Sequence, residues 1–525
     1  MKYQATIGLE VHAELKTATK MFCSSKNDPN EKRPNFNICP VCVGHPGTLP
    51  VINKEAVRLV QRVGLALGGE IKKQSRFDRK NYFYPDLPKG YQTSQYQHPL
   101  VLGGVLRGVR ITRVHLEEDT ARSLHDAITN SSLIDFNRSG VPLMELVTEP
   151  DITSVQQARA FAEELQLILQ YIGASDANME KGQMRCEANV SIMQYDKESL
   201  DSEMASEPAK WGVDDIVARR VVQRSIHTPS GLRREENKDS LSNTRILGTK
   251  VEIKNLNSFR AVERAIEYEI KRQSELLEQG EKVVQETRGW DDGKQITFSQ
   301  RSKESAHDYR YFPEPDLPPL EFSEEYINGL RTTIPELPEA KRKRFTEEYA
   351  IPEGLAETLV RERELASFWE RVVSELKEWL PEKTKERDAL KLAANYFTSD
   401  LLGLMKEKGI SASELLVEPE NYAELIKMIV EGEISSRVAK DVLRYMLEHG
   451  GDPSSIIESQ GLWQVHDTAE LEEIIKKVLH RSPAAISDYR NGKQNAIQFL
   501  VGQVMKETKG AANPEAIREI LTKNL

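Results

Sequence analysis

The sequence predicts an α+β protein, with a cradle built on an amphipathic, largely antiparallel β-sheet with helices, followed by all-α domains. Apolar and polar side chains alternate without interruption from Tyr3 to Leu15, which is the period of a half-buried β-strand. The same alternation returns at 185–192 and 249–254. Beyond about residue 320 the chain changes to charged, amphipathic helices separated by short glycine stops.

Prolines through Pro319 mark the first domain boundary, because they end regular structure. We therefore expect a cradle domain at 1–320, a helical domain at 321–410 and a helical tail at 411–525. Within the cradle, residues 195–247 are polar and aperiodic, which predicts a long surface insertion. A solvated loop is the simpler interpretation of this insertion, and contact of its arginines with RNA is the alternative.

Composition limits the class of protein. The 525 residues carry a net charge of −10, which argues against broad electrostatic capture of nucleic acid. The stretch from Arg481 to the end is locally basic, with seven Lys or Arg against four Asp or Glu. No apolar run approaches a membrane span, and no basic-then-apolar leader opens the chain, so we expect a cytoplasmic protein with no membrane contact.

The first strand presents candidate ligands. Its polar face carries Glu10, His12 and Glu14, and a carboxylate beside an imidazole can hold a divalent metal or move protons. A solvated strand face is the alternative. The two other alternating segments place Glu187 and Glu252 on polar faces as well. If the three strands are neighbours in one sheet, these faces form a polar floor over an apolar core.

The cysteines suggest an incomplete zinc site. Cys39 and Cys42 form a Cys-x-x-Cys turn, which is half of a structural zinc site, and Cys23 is a third ligand. Ser25 stands where a fourth cysteine would complete the set, and His45 is a speculative substitute. A metal-free turn with reduced thiols is the alternative.

Three helices of the cradle carry start or stop signals. Asn53 is a cap for the first. Ser154 and Gln157 form a capping box that opens the second, and Gly173 ends it. A third helix is expected from about 258 to 279.

The segment Phe77–Tyr91 contains prolines and a glycine, and we expect an ordered loop rather than a regular element. Arg79 and Lys80 can neutralise phosphate, and the aromatic side chains can stack on a base. A tightly packed, tyrosine-rich loop with solvated cations is the alternative.

The acidic run His115–Asp119 follows a strand-like segment at 109–114. Adjacent acids are unfavourable unless a cation is present. Alternation places Glu117 on the face of His115 and Glu118 on the other face, although a bulge at the strand end can re-aim either side chain.

Several ordered motifs closely resemble one family, the B subunits of the bacterial tRNA-dependent amidotransferase GatCAB. The motifs are Ile7–His12, Cys39–Cys42, Pro46–Pro50, Phe77–Gln92, His115–Asp119, Glu149–Asp151, Gly248–Phe259, Asp308–Asp316, Tyr489–Lys493, Leu500–Met505 and Ala512–Pro514. The resemblance covers nearly the whole chain outside the insertion.

The resemblance implies an ATP-dependent carbon–nitrogen ligase with glutamine as amide donor. Such a subunit binds misacylated Glu-tRNA(Gln), and often Asp-tRNA(Asn), and uses ATP and magnesium to phosphorylate the side-chain carboxylate. Ammonia released by the A subunit displaces the phosphate, and the small C subunit bridges A and B in a heterotrimer. The cradle then holds the active site, and the helical domain and the YqeY-like tail hold tRNA.

The resemblance also assigns residues. On this basis we assign catalysis to Glu10, His12 and Glu118, and we expect Arg79, Lys80 and Arg310 to contact phosphate. Its magnesium ligands match Glu10, His12, Glu118, Glu187 and Glu252. Alternation prefers Glu117 over Glu118, and here we follow the resemblance.

Two other classes remain open. One is a non-catalytic tRNA-binding scaffold, against which the intact acidic positions argue. The other is a free-standing ligase with its own ammonia source, but the sequence has no recognisable glutaminase nucleophile motif, and no Walker A, GxSxG, HExxH or GxGxxG pattern.

Overall fold

The computed structural model describes residues 2–126, 130–195, 248–302, 309–380, 382–463, 468–490, 493, 495–508, 512 and 514–525. The chain forms two compact units, Met1–Leu337 and Pro338–Leu525. The division into three domains stays a prediction. The predicted insertion lies, apart from its first residue, outside the described residues.

The strands belong to the first unit. They are β1 (Lys2–Glu14), β2 (Glu70–Ile71), β3 (Gln74–Ser75), β4 (Asp78–Asn81), β5 (Tyr91–Ser94), β6 (Val101–Leu102), β7 (Val105–Leu106), β8 (Val109–Glu118), β9 (Arg122–Asp126), β10 (Ser131–Asp135), β11 (Pro142–Thr148), β12 (Met184–Tyr195), β13 (Val251–Leu256), β14 (Glu286–Asp291), β15 (Ile296–Ser302), β16 (Phe312–Pro313) and β17 (Leu320–Glu321).

One ten-stranded sheet dominates this unit. Its order is β15-β14-β13-β12-β1-β11-β8-β6-β2, and β7 pairs with β8 outside this path. Neighbouring strands are antiparallel except for β13 and β14, which are parallel. The predicted α+β class is confirmed. The three alternating segments are neighbours in the order β13-β12-β1, as the polar-floor hypothesis requires.

The helices of the first unit are α1 (Lys54–Ala66), α2 (Val155–Ile172), α3 (Phe259–Glu278) and α4 (Glu324–Arg331). Apolar side chains of α2 and α3, such as Phe161 and Ile266, belong to the same buried core as Ile7, Leu9 and Val11 of β1. Because successive side chains of a strand point to opposite faces, the polar residues of β1 are left on the face away from this core.

The predicted caps are present in the structure. The side chain of Asn53 accepts hydrogen bonds from the backbone N–H groups of residues 55 and 56, and Ser154 accepts one from that of Gln157. Gly173 ends α2 with a φ of 72°, which suits glycine. The capping box is only half formed, because the Gln157 side chain accepts from the backbone N–H of Thr153 rather than from that of Ser154.

Two predictions about local structure were wrong in extent. The segment Phe77–Tyr91 is not loop throughout, because β4 forms within it and pairs with β5 and β16. The strand predicted at 109–114 continues as β8 to Glu118, so most of the acidic run lies within regular structure. No bulge re-aims these side chains, because the pairing of β8 with β11 is regular from Arg113 to Glu118.

The second unit is helical where described. Its α-helices are α5 (Pro338–Glu348), α6 (Glu353–Arg361), α7 (Arg363–Trp379), α8 (Lys383–Tyr396), α9 (Leu402–Lys408), α10 (Pro419–Val430), α11 (Ser436–His449), α12 (Pro453–Gln460), α13 (Thr468–Arg481), α14 (Pro483–Arg490), α15 (Asn495–Glu507) and α16 (Pro514–Asn524). A π-helical turn, Phe397–Leu401, joins α8 to α9. No helix of the described residues is both long and apolar enough to cross a membrane.

Candidate active site

A polar cavity of about 370 Å³ lies over the sheet face opposite the core. It is lined by residues of β1, β8, β11, β12 and β13 and by aromatic residues near β5 and β16. We call it the cradle cavity. It falls within the range of about 300–1,000 Å³ that is usual for small-ligand sites.

Three acids from three adjacent strands meet in this cavity. Glu10, Glu187 and Glu252 each place a carboxylate oxygen within 4.8 Å of the others, and we call them the carboxylate cluster. The register explains the meeting, because Glu10 of β1 lies directly opposite Glu187 of β12. Lys254 of β13 lies beside them and donates to Glu187 at 2.8 Å. The predicted polar floor is therefore formed by these strands.

A second cluster lies next to the first. His12 Nε2 is 3.3 Å from a Glu145 oxygen and 3.6 Å from a Glu117 oxygen, and we call these three residues the histidine cluster. His115 Nε2 also lies 3.3 Å from Glu145. All four side chains point into the cradle cavity. The two clusters are linked through β1, where Glu10 and His12 are alternate residues on one face.

Burial and neighbouring charge perturb both clusters. Burial raises the pKa of Glu10, and Glu145, Glu187 and Glu252 raise it further. Burial alone would lower the pKa of His12, but the hydrogen bond and charge of Glu145 outweigh it and raise this pKa to about 9. The structure thus brings five carboxylates together in one cavity, and such a concentration of negative charge attracts cations.

The residues of the carboxylate cluster fit magnesium. Magnesium takes oxygen ligands, and three carboxylates from a rigid sheet supply them. Asn189 donates to Glu10 at 2.8 Å, while its own amide oxygen is buried with no hydrogen-bond partner among the described residues. A buried oxygen left without a partner beside three acids favours a cation at this position. The histidine cluster offers a second set of three ligand atoms.

Glu118 is not where the resemblance predicts it. Its carboxylate accepts from Lys89 and, at 2.9 Å, from the backbone N–H of Thr93, and it lies in neither cluster. It lines a separate cavity of about 220 Å³ that also borders Cys42. The place predicted for Glu118 is taken by Glu117, because β8 continues as a regular strand and its alternation is kept.

The three predicted phosphate contacts are separated in the structure. Lys80 lines the cradle cavity, with its ammonium 5.1 Å from the Tyr309 ring centre. Arg79, the preceding residue of β4, instead forms a paired contact of 2.8 and 2.6 Å with Glu314. Arg310 is exposed and does not line the cavity. Only Lys80 of the three therefore lies in the cavity that holds the acids.

The cysteines form a partial metal site. The sulfurs of Cys23, Cys39 and Cys42 lie within 4.8 Å of one another, and none of the three is in a disulfide bond. The side chain of Ser25 is 4.0 Å from the Cys42 sulfur. Lys20 is fully buried, with its ammonium 3.7 Å from the same sulfur. Three thiolates fit zinc, but a closed site needs four ligands, so the residues present fit zinc incompletely.

The electrostatics of this cysteine group are unusual. The hydrogen bond with Cys23 lowers the pKa of Cys42 to about 5, against the effect of burial, and the charge of Lys20 acts in the same direction. Burial lowers the pKa of Lys20. A thiolate at Cys42 and an ammonium at Lys20 therefore neutralise each other in a buried position.

Sequence reasoning missed Glu145, which touches both histidines. A signal was present, because Glu145 is the one charged residue in the otherwise apolar segment 141–147. A carboxylate within a buried strand is rare unless it has a partner. Lys254 was also missed, since alternating lysine and glutamate in β13 look like a solvated face.

Comparison with known proteins identifies the family. A family model described as the GatB/GatE catalytic domain matches residues 5–228 and 216–328, and one described as the GatB domain matches 378–525. The chain belongs to the GatB family. Its match to the catalytic-domain model includes every residue of both clusters.

The GatB family resemblance extends to curated relatives over their full length. The aspartyl/glutamyl-tRNA(Asn/Gln) amidotransferase subunits B of Carboxydothermus hydrogenoformans and Thermotoga maritima are 42% and 43% identical to it, over 100% of this chain and 99% of theirs. The protein of that name from Thermomicrobium roseum is 44% identical over the same shares.

Proposed function

We propose that this chain is the B subunit of a tRNA-dependent amidotransferase, and that its cradle cavity phosphorylates and then amidates a tRNA-linked carboxylate. The observation that carries the proposal is the pair of adjacent clusters on one polar sheet face, linked through Glu10 and His12. The substrates are Glu-tRNA(Gln) and Asp-tRNA(Asn), in keeping with the name shared by the full-length relatives.

The chemistry needs charge control rather than a protein nucleophile. A side-chain carboxylate oxygen of the tRNA-linked amino acid attacks the γ-phosphorus of ATP, and ADP leaves with the electron pair of the broken bond. Ammonia then attacks the acyl carbon of the resulting acyl phosphate, and inorganic phosphate leaves. Phosphoryl transfer of this kind depends on alignment and on neutralisation of the phosphate oxygens.

The residues of the cavity take distinct roles in this proposal. The carboxylate cluster and Glu117, with His12 in its deprotonated form, would hold magnesium, which when bound would neutralise charge on the transferred phosphate. Glu145 orients the His12 ring, and His115 in turn holds Glu145. Lys80 contacts a phosphate, because no carboxylate of the described residues lies within ion-pair distance of its ammonium.

The other subunits and domains complete the reaction. An A subunit supplies ammonia from glutamine, because this chain has no recognisable glutaminase motif, and a C subunit bridges the two. The helical domain and the tail, 321–410 and 411–525, hold the tRNA. We place the heterotrimer in the cytoplasm, where aminoacyl-tRNA is used.

The test uses the purified heterotrimer with Glu-tRNA(Gln), ATP, magnesium and ammonium, which bypasses the glutaminase. The wild type is compared with Glu10→Gln and Glu252→Gln. We expect Gln-tRNA from the wild type and a loss of at least about 100-fold in both variants, with tRNA binding retained. Equal product from all three would show that the carboxylate cluster is structural.

A further inference from the structure

The aromatic wall of the cradle cavity has no role in the reaction as proposed so far. The rings of Tyr96 and Tyr311 stack with centres 4.4 Å apart and planes at 13°. Both line the cavity that holds the acidic clusters and Lys80. Parallel stacking at this distance makes a flat, extended aromatic surface.

Tyr96 is the more exposed ring of this stack. Tyr96 remains 43% exposed although it lies in a cavity with a packed neighbour. Among the described residues no ring other than Tyr311 packs on Tyr96, whereas Tyr311 is backed by Tyr309, with ring centres 6.2 Å apart.

The position of Tyr96 is held by the backbone. Asp78, which is 2% exposed, accepts hydrogen bonds from the backbone N–H of Tyr96 at 2.9 Å and of Gln97 at 3.4 Å. Asp78 belongs to β4, the strand that also carries Lys80. The backbone that carries the ring is fixed in this way and loses little freedom when a ligand binds.

A small three-stranded sheet places the aromatic stack beside the ammonium group of Lys80. Strands β16, β4 and β5 form one three-stranded sheet, with Tyr311 immediately before β16 and Tyr96 shortly after β5. Lys80 lies in the middle strand and faces the rings of Tyr82 and Tyr309. A ligand with a flat base and a phosphate chain would meet the stack, the ammonium and the acidic clusters within one cavity.

We propose that Tyr96, supported by Tyr311, is the stacking platform for the adenine ring of a substrate in the cradle cavity. This inference rests on the proposed function, in which two substrates carry adenine: ATP and the 3′-terminal adenosine of the tRNA. Base stacking on an aromatic side chain is tolerant of sequence and needs only a flat, accessible ring.

The test compares Tyr96→Leu with Tyr96→Phe in the heterotrimer, using ammonium as the nitrogen donor. Leucine removes the platform, and phenylalanine keeps it while removing only the hydroxyl. Phe298→Leu is the matched control, because Phe298 is 43% exposed like Tyr96, yet lies outside the cradle cavity and outside the domains proposed to hold tRNA. Binding of ATP and of inorganic tripolyphosphate is measured, together with the KM for ATP and for Glu-tRNA(Gln).

If ATP supplies the adenine, Tyr96→Leu raises the KM and Kd for ATP about 5- to 100-fold and leaves tripolyphosphate binding unchanged. If the tRNA terminus supplies it, the same variant raises the KM for Glu-tRNA(Gln) by a similar factor and leaves that for ATP unchanged. Tyr96→Phe stays within about twofold of wild type in either case. Phe298→Leu leaves both KM values unchanged.

Unchanged KM values for both substrates in Tyr96→Leu would overturn the platform. So would an equal loss in Tyr96→Phe, because the hydroxyl and not the ring would then matter. A wild-type heterotrimer that forms no ATP-dependent product would instead overturn the proposed function itself, which keeps the two failures apart.

Discussion

Glu10 and Glu187 lie directly opposite each other in the antiparallel pair of β1 and β12. Like charges at directly opposed positions of a sheet are destabilising, and the charge of Glu187 contributes to the raised pKa of Glu10. Lys254 relieves only part of this repulsion, through its bond of 2.8 Å to Glu187. Repulsion between the two carboxylates therefore lowers the stability of the fold, and a bound cation would offset it.

Magnesium should stabilise the protein through this pair. We expect the melting temperature to rise with magnesium in the wild type and to be lowered by a chelator. Glu10→Gln should melt higher than the wild type without magnesium, because the repulsion is gone, and should gain little from adding it. Thermal unfolding with and without magnesium measures both effects. A magnesium-dependent rise of the wild-type size in Glu10→Gln would contradict a metal site at this pair.

Substitutions of Glu117 and of Glu118 should have different effects on the magnesium concentration that amidation requires. Glu117→Gln replaces a carboxylate 3.6 Å from His12 with a neutral amide, and we expect it to raise the magnesium concentration for half-maximal amidation at least tenfold. Glu118→Gln should leave this concentration within about twofold, because Glu118 contacts Lys89 and Thr93 instead. Magnesium titration of the ammonium-driven reaction separates them. A larger effect of Glu118→Gln than of Glu117→Gln would show that Glu118 is the magnesium ligand.

Substitution of Arg79 should mainly lower stability, whereas substitution of Lys80 should mainly weaken ATP binding. Arg79→Met leaves Glu314, whose side chain is 1% exposed, without its ion-pair partner, and we expect a loss of about 3 kcal/mol in unfolding free energy at pH 7. Lys80→Met should raise the KM for ATP more than Arg79→Met does, with a smaller loss of stability.

The effect of Arg79→Met should depend on pH. Burial opposes ionisation of Glu314, but Arg79 outweighs it and lowers the pKa below the usual value. A lowered carboxylate pKa contributes stability above the unfolded pKa, near 4.5, and this contribution disappears as pH falls through the folded value. The stability difference between wild type and Arg79→Met should thus shrink below about pH 4.5. Denaturant unfolding at pH 7 and pH 3.5 measures this, and an equal difference at both would contradict it.

Gly64 should not tolerate alanine. A Cβ atom there would lie 2.5 Å from a Val101 side-chain carbon, in the contact between α1 and the sheet. We expect Gly64→Ala to destabilise by about 1–3 kcal/mol, although alanine normally favours a helix. Gly329→Ala in α4 is the control, because nothing lies within 4 Å of its Cβ position, and it should be neutral or stabilising. Equal effects would show that α1 packs less tightly here.

Ser25→Cys should complete the zinc site. Its side chain lies 4.0 Å from the Cys42 sulfur, so a thiolate there can join the three that already cluster. We expect the variant to retain zinc at chelator concentrations that strip the wild type, as measured by metal analysis after dialysis. Ser25→Ala should behave as the wild type. Equal zinc retention by Ser25→Cys and wild type would mean that residue 25 does not point at the metal position.

Much of the fold is predictable because its sheet is amphipathic. The alternation in Tyr3–Leu15 identifies the strand at the centre of the cradle, and Asn53 and Ser154 mark helix starts through local hydrogen bonds. These signals act over a few residues. Gln157 shows their limit, because its side chain accepts from the backbone N–H of Thr153, whereas the capping-box pattern predicts that of Ser154.

The site was harder to predict because it depends on register between distant strands. No pattern in β11 indicates that Glu145 lies opposite His12, although the pairing places them there. Alternation favoured Glu117, as the geometry does, and the motif resemblance favoured Glu118. Adjacent residues of one strand point to opposite faces, so an error of one position moves a residue out of the cavity. Arg79 and Lys80 are likewise adjacent in β4, and only Lys80 lines the cradle cavity.

The most direct test of the central claim is phosphoryl transfer itself. The heterotrimer is given ATP labelled at the γ-phosphate and magnesium, without ammonia or glutamine, and label on Glu-tRNA(Gln) is measured. We expect acyl phosphate on the tRNA-linked glutamate with the wild type and with the exposed control Glu70→Gln, and none with Glu187→Gln. Label on the tRNA at wild-type level in Glu187→Gln would contradict a kinase site at the carboxylate cluster.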